Sequence, residues 1–286
     1  MNYTIYFGFG IINNIGNKKV KKGAVYLVGA GSGDPELLTL KAYRVMQQAD
    51  VVLYDSLVSQ DVLEMCAESA TKIFVGKRRD NHALPQQDIN QLLVTHAQAG
   101  KCVVRLKGGD PFIFGRGGEE LQTVAENDIF FESIPGITAA SAAASSTGIP
   151  LTHREYAQSV KFVTAYKKTN APNEDFKEML DPSQTVVLYM GLHRLKDLTQ
   201  GLIQAGRDRE TPFALVSQAS LPSQQVLIGT LDDIAAKQAV ANLPTPALLI
   251  MGDVVNLHKQ LCDYNLVNLG IQQRFTEQEK NVVLAI

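Results

Sequence analysis

The chain contains no tryptophan, only three cysteines and no long apolar run. Cys66, Cys102 and Cys262 lie far apart, in none of the paired spacings that hold zinc or build a disulfide framework. We therefore expect buried thiols, a reducing cytoplasmic setting and no metal site. Without a stretch of about 18 apolar residues, no transmembrane helix is expected. The formal charge of −2 gives no bulk attraction to nucleic acid.

The two ends of the chain lack the pattern of the rest. Residues 1–22 are rich in Tyr, Phe and Ile, but their lysines follow the apolar part, which is the opposite order to a signal peptide. Residues 263–286 show no clear periodicity. We expect an N-terminal extension outside the fold over 1–22 and a C-terminal tail over 263–286, to which no role is assigned.

Apolar strand-like runs alternate with helical ones from residue 23 onward. Residues 24–28 and 51–54 are continuous apolar runs, typical of strands buried on both faces. Between them we expect a helix that is capped by Asp34 and has Pro35 at its first position. Further strands are predicted at 72–75, 103–106 and 129–134, with helices at 85–99 and 118–126. This order predicts a parallel α/β domain over residues 23–134.

A Pro135–Gly136 turn marks a break, and a second set of elements follows it. Residues 138–147 are nearly all Ala, Ser and Thr, so we expect a helix that packs closely on a flat surface. Strands are predicted at 160–165, 185–190, 213–216, 226–228 and 247–251, with a linker around 170–174 and helices at 192–205 and 231–240. Because strands outnumber the helices between them, we expect a mixed sheet in a second α/β domain over residues 135–262.

The most glycine-rich stretch is GGDPFIFGRGGEE, residues 108–120, directly after a predicted strand. Glycines at a strand's carboxyl end let a ligand approach bare backbone, which favours a small-molecule site. A tight surface loop has the same composition, so both interpretations stay open at this point.

A second glycine group raises a rival hypothesis. Gly29, Gly31 and Gly33 stand between a strand and a helix, as in a dinucleotide-binding fingerprint. However, the fingerprint needs glycine at position 34, where Asp34 would repel a pyrophosphate at the helix N-terminus. Asp55, at the end of the second strand, could still imitate the ribose-binding acid.

Several blocks taken together resemble the uroporphyrinogen-III C-methyltransferases of the tetrapyrrole methylase family. In chain order these blocks are VGAGSGDPELLTLKA, ADVVLYD, FVGKR, RLKGGDPFIFGRGGEE, PGITAASAAASSTGIPLTHREYAQSV and YMG. The resemblance covers residues 23–262. It implies two α/β domains with the active site in the cleft between them, and a homodimer.

The resemblance also implies a reaction. S-adenosylmethionine would donate two methyl groups to uroporphyrinogen III, giving precorrin-2 through precorrin-1 on the route to sirohaem and cobalamin, with S-adenosylhomocysteine as the other product. Two alternatives are a sister methylase acting on another precorrin and a non-catalytic carrier of tetrapyrrole or cofactor. Since only about twenty residues precede the resemblance, a methyltransferase without dehydrogenase and ferrochelatase modules is expected.

Roles for individual residues follow from the same resemblance. Asp55 would accept a proton and Lys77 would donate one, although a turn or a solvated face would also explain them. Arg116 and Arg154 would hold substrate carboxylates, since guanidinium groups bind carboxylates bidentately. The cofactor would contact the residues Ser32, Gly108, Gly109, Asp110, Ile113, Thr138, Ala139, Met190 and Ala219. Outside their blocks, Asp110 would be read as a turn residue and Met190 as core.

The charged residues near these blocks, and three departures from the family pattern, lead to two further expectations. Cations near these blocks predict a basic cleft, and they are Lys77, Arg78, Arg79, Arg105, Lys107, Arg116 and Arg154. The family usually has proline where Ser32 stands, arginine where Ser56 stands and glycine where Ala219 stands. Because backbone groups should make several cofactor contacts, we expect these changes to tune affinity.

Overall fold

The computed structural model describes residues 23–76, 84–166 and 175–262. Some expectations fall outside the described residues. They concern the extension over 1–22, Lys77 with Arg78 and Arg79, the linker around 170–174, and the tail over 263–286.

Five parallel strands form the first sheet. The strands are β1 (Ala24–Gly29), β2 (Val51–Tyr54), β3 (Thr71–Phe74), β4 (Cys102–Lys107) and β5 (Phe130–Ile134). Neighbouring strands follow the order β3-β2-β4-β1-β5, and every pairing is parallel, as predicted. All residues of β1 and β4 are buried, as expected for the middle of a parallel sheet covered on both faces.

Helices cover both faces of this sheet. Val104 and Leu106 point to α1 and α2, whereas Val103, one residue away, points to α3 and α4. The first helix differs from its prediction: Asp34 caps only a 3₁₀ turn at Pro35–Leu37, and the α-helix begins at Leu40 with Thr39 as its cap. The helices are α1 (Leu40–Met46), α2 (Gln60–Glu64), α3 (Gln86–Gln98) and α4 (Gly117–Glu126).

The second sheet is mixed, which confirms the prediction. Its order is β6-β7-β10-β8-β9, with β6 and β7 parallel and the other pairs antiparallel. Helices α6 and α7 cover one face and α5 the other. The elements are β6 (Ser159–Thr164), β7 (Gln184–Tyr189), β8 (Pro212–Ser217), β9 (Gln225–Thr230), β10 (Ala247–Met251), α5 (Ala139–Thr147), α6 (Leu195–Ala205) and α7 (Ile234–Ala241).

The small residues of α5 allow it to lie close to the second sheet. Ala140 and Ala143 are fully buried and pack in one cluster with Ala214 of β8 and Ile250 of β10. Helix α5 ends at Gly148, whose left-handed φ of 64° closes the last turn. The expected close packing of residues 138–147 on a flat surface is therefore confirmed for this helix.

Two of the three cysteines lie in the interior. Cys66 and Cys102 are buried, and burial raises the pKa of the Cys66 thiol to about 11, so this thiol stays protonated at neutral pH. Cys262 is only partly buried. In the described part of the chain, no helix is long and apolar enough to cross a membrane.

Candidate active site between the two sheets

Four glycines pack together at a crossing where the two halves of the chain meet. Gly31 and Gly109, in the loops after β1 and β4, exchange two backbone hydrogen bonds of 3.2 and 2.6 Å. A Cβ on Gly29 would lie 2.4 Å from the Gly136 nitrogen, and one on Gly136 would lie 2.4 Å from the Gly109 oxygen. Such distances exclude any side chain, so glycine is required on both sides of this crossing.

The loop after β4 opens toward the start of α5. A Cβ on Gly109 would meet only the Thr138 Cα and the Ala139 nitrogen, both at 3.9 Å. Gly109 also has a left-handed φ of 69°. The structure thus brings Gly109, Thr138 and Ala139 together, although they stand almost thirty residues apart, and leaves bare backbone between them.

Asp110 links this loop to the second half. One carboxylate oxygen accepts a hydrogen bond from the Phe112 N–H at 2.8 Å, and the other accepts one from the Gly136 N–H at 3.1 Å. Both carboxylate oxygens therefore bind backbone N–H groups. This geometry favours the turn-forming role for Asp110, while its predicted contact with a cofactor stays a prediction. Gly108 packs against Leu57, and Ile113 is half-buried in the same loop.

Tyr189, at the end of β7, ties the second half of the site together. Its hydroxyl hydrogen-bonds the Thr138 hydroxyl at 2.7 Å and accepts a bond from the Ala140 N–H at 3.2 Å. Its ring packs on Phe114 with centroids 4.8 Å apart. Burial raises the pKa of Tyr189, so the phenol stays protonated. Sequence reasoning missed Tyr189 and Phe114, although both lie inside quoted blocks.

A hydroxyl pair joins the first glycine loop to the loop after β8. The Ser32 and Ser220 side-chain oxygens lie 2.5 Å apart, and Leu221 packs against Gly33. Ala219 therefore lies beside a direct contact between the two halves. Sequence reasoning placed Ser32 and Ala219 at one site but gave no signal for this bond.

Unusual backbone conformations concentrate at this junction. Seven described non-glycine residues have positive φ, and five of them stand in the loops after β4, β7 and β8, where Phe114 contacts Tyr189 and Ser220 contacts Ser32. Such strain persists only where surrounding contacts hold it, and it clusters at functional sites. The five residues are Phe114, Arg116, Met190, Gln218 and Ser220. The side chain of Met190 is half exposed there rather than in the core.

Asp55 follows β2 at the same edge of the first sheet. One of its carboxylate oxygens accepts a bond from the Leu57 N–H at 3.0 Å, and the other lies 3.4 Å from the Arg105 guanidinium. Its side chain keeps 23% exposure, whereas Arg105 keeps 4%. A carboxylate that is both held and open can exchange a proton with a bound molecule.

The expectation of a broadly basic cleft is wrong for two of its cations. Arg105 and Lys107 are buried and ion-paired with Glu120, at 3.1 and 3.0 Å. Burial, and then the neighbouring Arg105 charge, lowers the pKa of Lys107. Their positions in the motif block predicted cations lining the cleft, but both side chains are buried and their charges are offset by Glu120.

Arg116 and Arg154 are exposed, but the structure does not bring them equally close to the turns. Arg116 stands immediately before α4, at the end of the loop after β4, and pairs with Glu119 at 3.2 Å. Arg154 lies in a turn closed by two backbone bonds between His153 and Ala157. Among the described residues, no hydrogen bond or ion pair links Arg154 to the glycine-containing loops after β1 and β4. No group of three or more His, Cys, Asp or Glu in the described ranges could hold a metal.

Fold and site together define an α/β protein with two sheets and a small-molecule site where glycine-lined strand ends meet the second sheet. Residues 24–235 match the family model for Tetrapyrrole (Corrin/Porphyrin) Methylases, so the chain belongs to that family. Family membership decides against the dinucleotide-binding hypothesis for the first glycine loop.

Curated relatives of high identity are named siroheme synthase. One from Psychrobacter arcticus is 61% identical over 259 residues, covering 91% of this chain and 47% of the relative. Another from Acinetobacter baylyi is 57% identical over 240 residues, covering 84% of this chain and 52% of the relative. The chain thus spans about half the length of the curated relatives it matches.

Solved structures agree with the fold. Uroporphyrin III C-methyl transferase from Thermus thermophilus matches with a TM-score of 0.71 and 41% identity, over 82% of this chain and 99% of that one. A structure of that enzyme complexed with S-adenyl homocysteine matches equally well. The cobalamin biosynthetic enzyme cobalt precorrin-4 methyltransferase has a TM-score of 0.73 at 28% identity, over 82% of this chain and 96% of that one.

Proposed function

We propose that this chain transfers two methyl groups from S-adenosylmethionine to uroporphyrinogen III, giving precorrin-2 through precorrin-1. This is the reaction of a uroporphyrinogen-III C-methyltransferase, on the route to sirohaem and cobalamin. The observation that carries the proposal is the open backbone between Gly109 and the start of α5, in a member of a methylase family. The similar Thermus enzyme that was solved with S-adenyl homocysteine supports it.

The open backbone between Gly109 and Thr138–Ala139, called the Gly109 cradle below, suits an adenosyl ligand. Bare backbone at Gly109 and at Thr138–Ala139 offers hydrogen-bonding groups without a Cβ in the way, and Met190 adds exposed apolar surface. When bound, S-adenosylmethionine supplies an activated methyl group. Alignment of two reactants in a fixed cleft is the largest contribution the protein can make to such a transfer. The remaining predicted cofactor residues are Ser32, Gly108, Asp110, Ile113 and Ala219.

Asp55 is the proposed proton acceptor. Attack by a pyrrole carbon leaves a cationic ring that must lose a proton, and a partly exposed carboxylate at the mouth of the cleft can take it. The proposed donor, Lys77, follows β3, the strand next to β2 in the sheet. The proposed substrate residues are the exposed Arg116 and Arg154, whose guanidinium groups match the carboxylates of the tetrapyrrole.

The proposed organisation has two α/β domains, residues 23–134 and residues 135–262, with the site between them. We also propose that the molecule is a homodimer in the cytoplasm. Neither membrane nor nucleic acid is a proposed partner.

Counting transferred methyl groups tests the proposal. The protein is incubated without oxygen with uroporphyrinogen III and labelled S-adenosylmethionine, and the tetrapyrrole product is weighed by mass spectrometry. Two labelled methyl groups per tetrapyrrole are expected. No transfer would remove the proposal, and transfer only to a precorrin already methylated would favour the sister activity that the cobalt precorrin-4 methyltransferase neighbour represents.

Replacing Asp55→Asn tests the acceptor role. Asn keeps the size and the hydrogen bond from Leu57 but cannot take a proton, so we expect the transfer rate to fall about 100-fold while S-adenosylhomocysteine still binds. Asp208→Asn is the matched control, because Asp208 also accepts the N–H two residues on, from Glu210, but lies in the second half. An unchanged rate in Asp55→Asn would exclude Asp55 as acceptor.

A further inference from the structure

All three nitrogens of the Arg105 guanidinium group make contacts in the structure around Asp55. Its Nε donates to Glu120 at 3.1 Å, and one terminal nitrogen donates to the backbone oxygens of Leu106 and Leu53 at 2.9 and 3.4 Å. The other terminal nitrogen reaches the Asp55 carboxylate at 3.4 Å. A planar group held by three contacts through two of its nitrogens has a restricted orientation, so the direction of its third nitrogen toward Asp55 is restricted as well.

The acid that anchors Arg105 is itself fully enclosed. Glu120 has no exposed surface. The carboxylate oxygen that accepts the hydrogen bond from Arg105 also accepts one from Lys107 at 3.0 Å and one from Gln86 at 3.1 Å. Two cations and two anions balance in this buried group, and only Asp55 reaches the surface. A buried charge is costly unless it is paired, so these ion pairs tie the three buried side chains to one another and, through Arg105, to Asp55.

We propose that Arg105, anchored by Glu120, is a positioning residue that fixes the direction of the Asp55 carboxylate at the cleft. Asp55 follows the end of β2, and Arg105 lies on the neighbouring strand β4, opposite Leu53 in register. The strand pairing therefore delivers the guanidinium to the carboxylate from inside the sheet, leaving its outer side for the substrate. This inference rests on the proposed function, in which Asp55 accepts a proton.

The test compares two buried arginines. Arg105→Met removes the contact with Asp55 but leaves Glu120 with Lys107 and Gln86, so Glu120 remains compensated. Arg207→Met is the control, because Arg207 is equally buried but binds the Met179 and Asp181 backbone oxygens of the second half and makes no contact with Asp55 among the described bonds. For each variant we measure the single-turnover rate of methyl transfer, the dissociation constant for S-adenosylhomocysteine and the melting temperature.

Only the arginine next to Asp55 should affect the transfer step. We expect Arg105→Met to lower the single-turnover rate about 100-fold, as for a misplaced catalytic group, with unchanged affinity for S-adenosylhomocysteine. Arg207→Met should lower the melting temperature and leave the rate of the folded protein unchanged. A wild-type rate in Arg105→Met, or equal losses of rate in both variants, would overturn the positioning role.

Arg105→Lys decides the matter if Arg105→Met fails to fold. Lysine keeps the charge and the pair with Glu120 but cannot also span to Asp55 and two carbonyls. A folded Arg105→Lys with reduced rate and unchanged S-adenosylhomocysteine affinity supports the inference, and one with the wild-type rate overturns it. If the wild type transfers no methyl group, the proposed function falls and the inference with it. If the wild type transfers methyl groups and the Arg105 variants transfer them at the same rate, only the inference is overturned.

Discussion

Arg116 is an exposed guanidinium at the end of the glycine loop, held in a left-handed conformation with φ of 59°. Its ion pair with Glu119 joins two exposed side chains, with 59% and 53% of their surface accessible, and such pairs contribute little to stability. Arg116 can therefore exchange Glu119 for a carboxylate of a bound molecule at small cost.

Removing this guanidinium should weaken substrate binding selectively. We expect Arg116→Ala to raise the dissociation constant for uroporphyrinogen III about tenfold, equivalent to about 1.4 kcal/mol, because a charge-assisted contact is lost. Binding of S-adenosylhomocysteine should not change. Arg209→Ala, at an exposed ion pair with Asp232 in the second half, is the control and should change neither. Equal weakening of both ligands by Arg116→Ala would contradict a substrate role.

The segment between β5 and α5 has little room for change. A Cβ on Gly136 would approach the Gly109 oxygen to 2.4 Å and the Gly29 Cα to 2.7 Å. All of these are backbone atoms, which cannot rotate away. The crossing therefore fixes the spacing of the loops after β1 and β4 relative to the start of α5.

Two glycine substitutions separate this crossing from glycine loss in general. We expect Gly136→Ala to lower the free energy of unfolding by about 3 kcal/mol, the upper range for overpacking, and to weaken S-adenosylhomocysteine binding. Gly118→Ala, inside α4 with nothing near its Cβ, should raise the free energy of unfolding by about 0.5–1 kcal/mol. Denaturant titration measures both. A Gly136→Ala protein as stable as the wild type would show that the crossing can relax.

The local pattern of the sequence was enough for most elements but not for the contacts between them. Buried apolar runs predicted β1 and β4, and the excess of strands predicted the mixed second sheet. The short helix α2 was missed, since its five residues give too little periodicity. Proximity in sequence also placed Arg105 with the substrate cations, whereas its burial depends on Glu120, fifteen residues away on α4. Tyr189 was missed because its hydrogen bonds run to α5, about fifty residues earlier.

At the scale of the whole molecule, each half has its own sheet and its own cores, and the proposed site takes residues from both. Gly109 and Asp55 come from the first half, and Thr138, Tyr189 and Met190 from the second. A ligand held by both halves stabilises the folded state by mass action, by an amount that grows with the logarithm of its concentration relative to its dissociation constant.

Ligand protection should therefore extend across the junction. At about 100 times its dissociation constant, S-adenosylhomocysteine should raise the free energy of unfolding by about 2.7 kcal/mol. Hydrogen exchange should slow in residues 108–113 and in residues 138–140 together. Protection of one segment without the other would mean that the ligand binds a single half.

A crystal structure of the protein with S-adenosylhomocysteine will show whether the methyl donor binds where the glycine-containing loops after β1 and β4 meet α5. We expect ligand density against the backbone of Gly109 and of Thr138–Ala139, with Met190 and Ala219 in contact and the Asp55 carboxylate facing the ligand's sulfur side. Density at another surface, with the Gly109 cradle empty, would contradict this expectation.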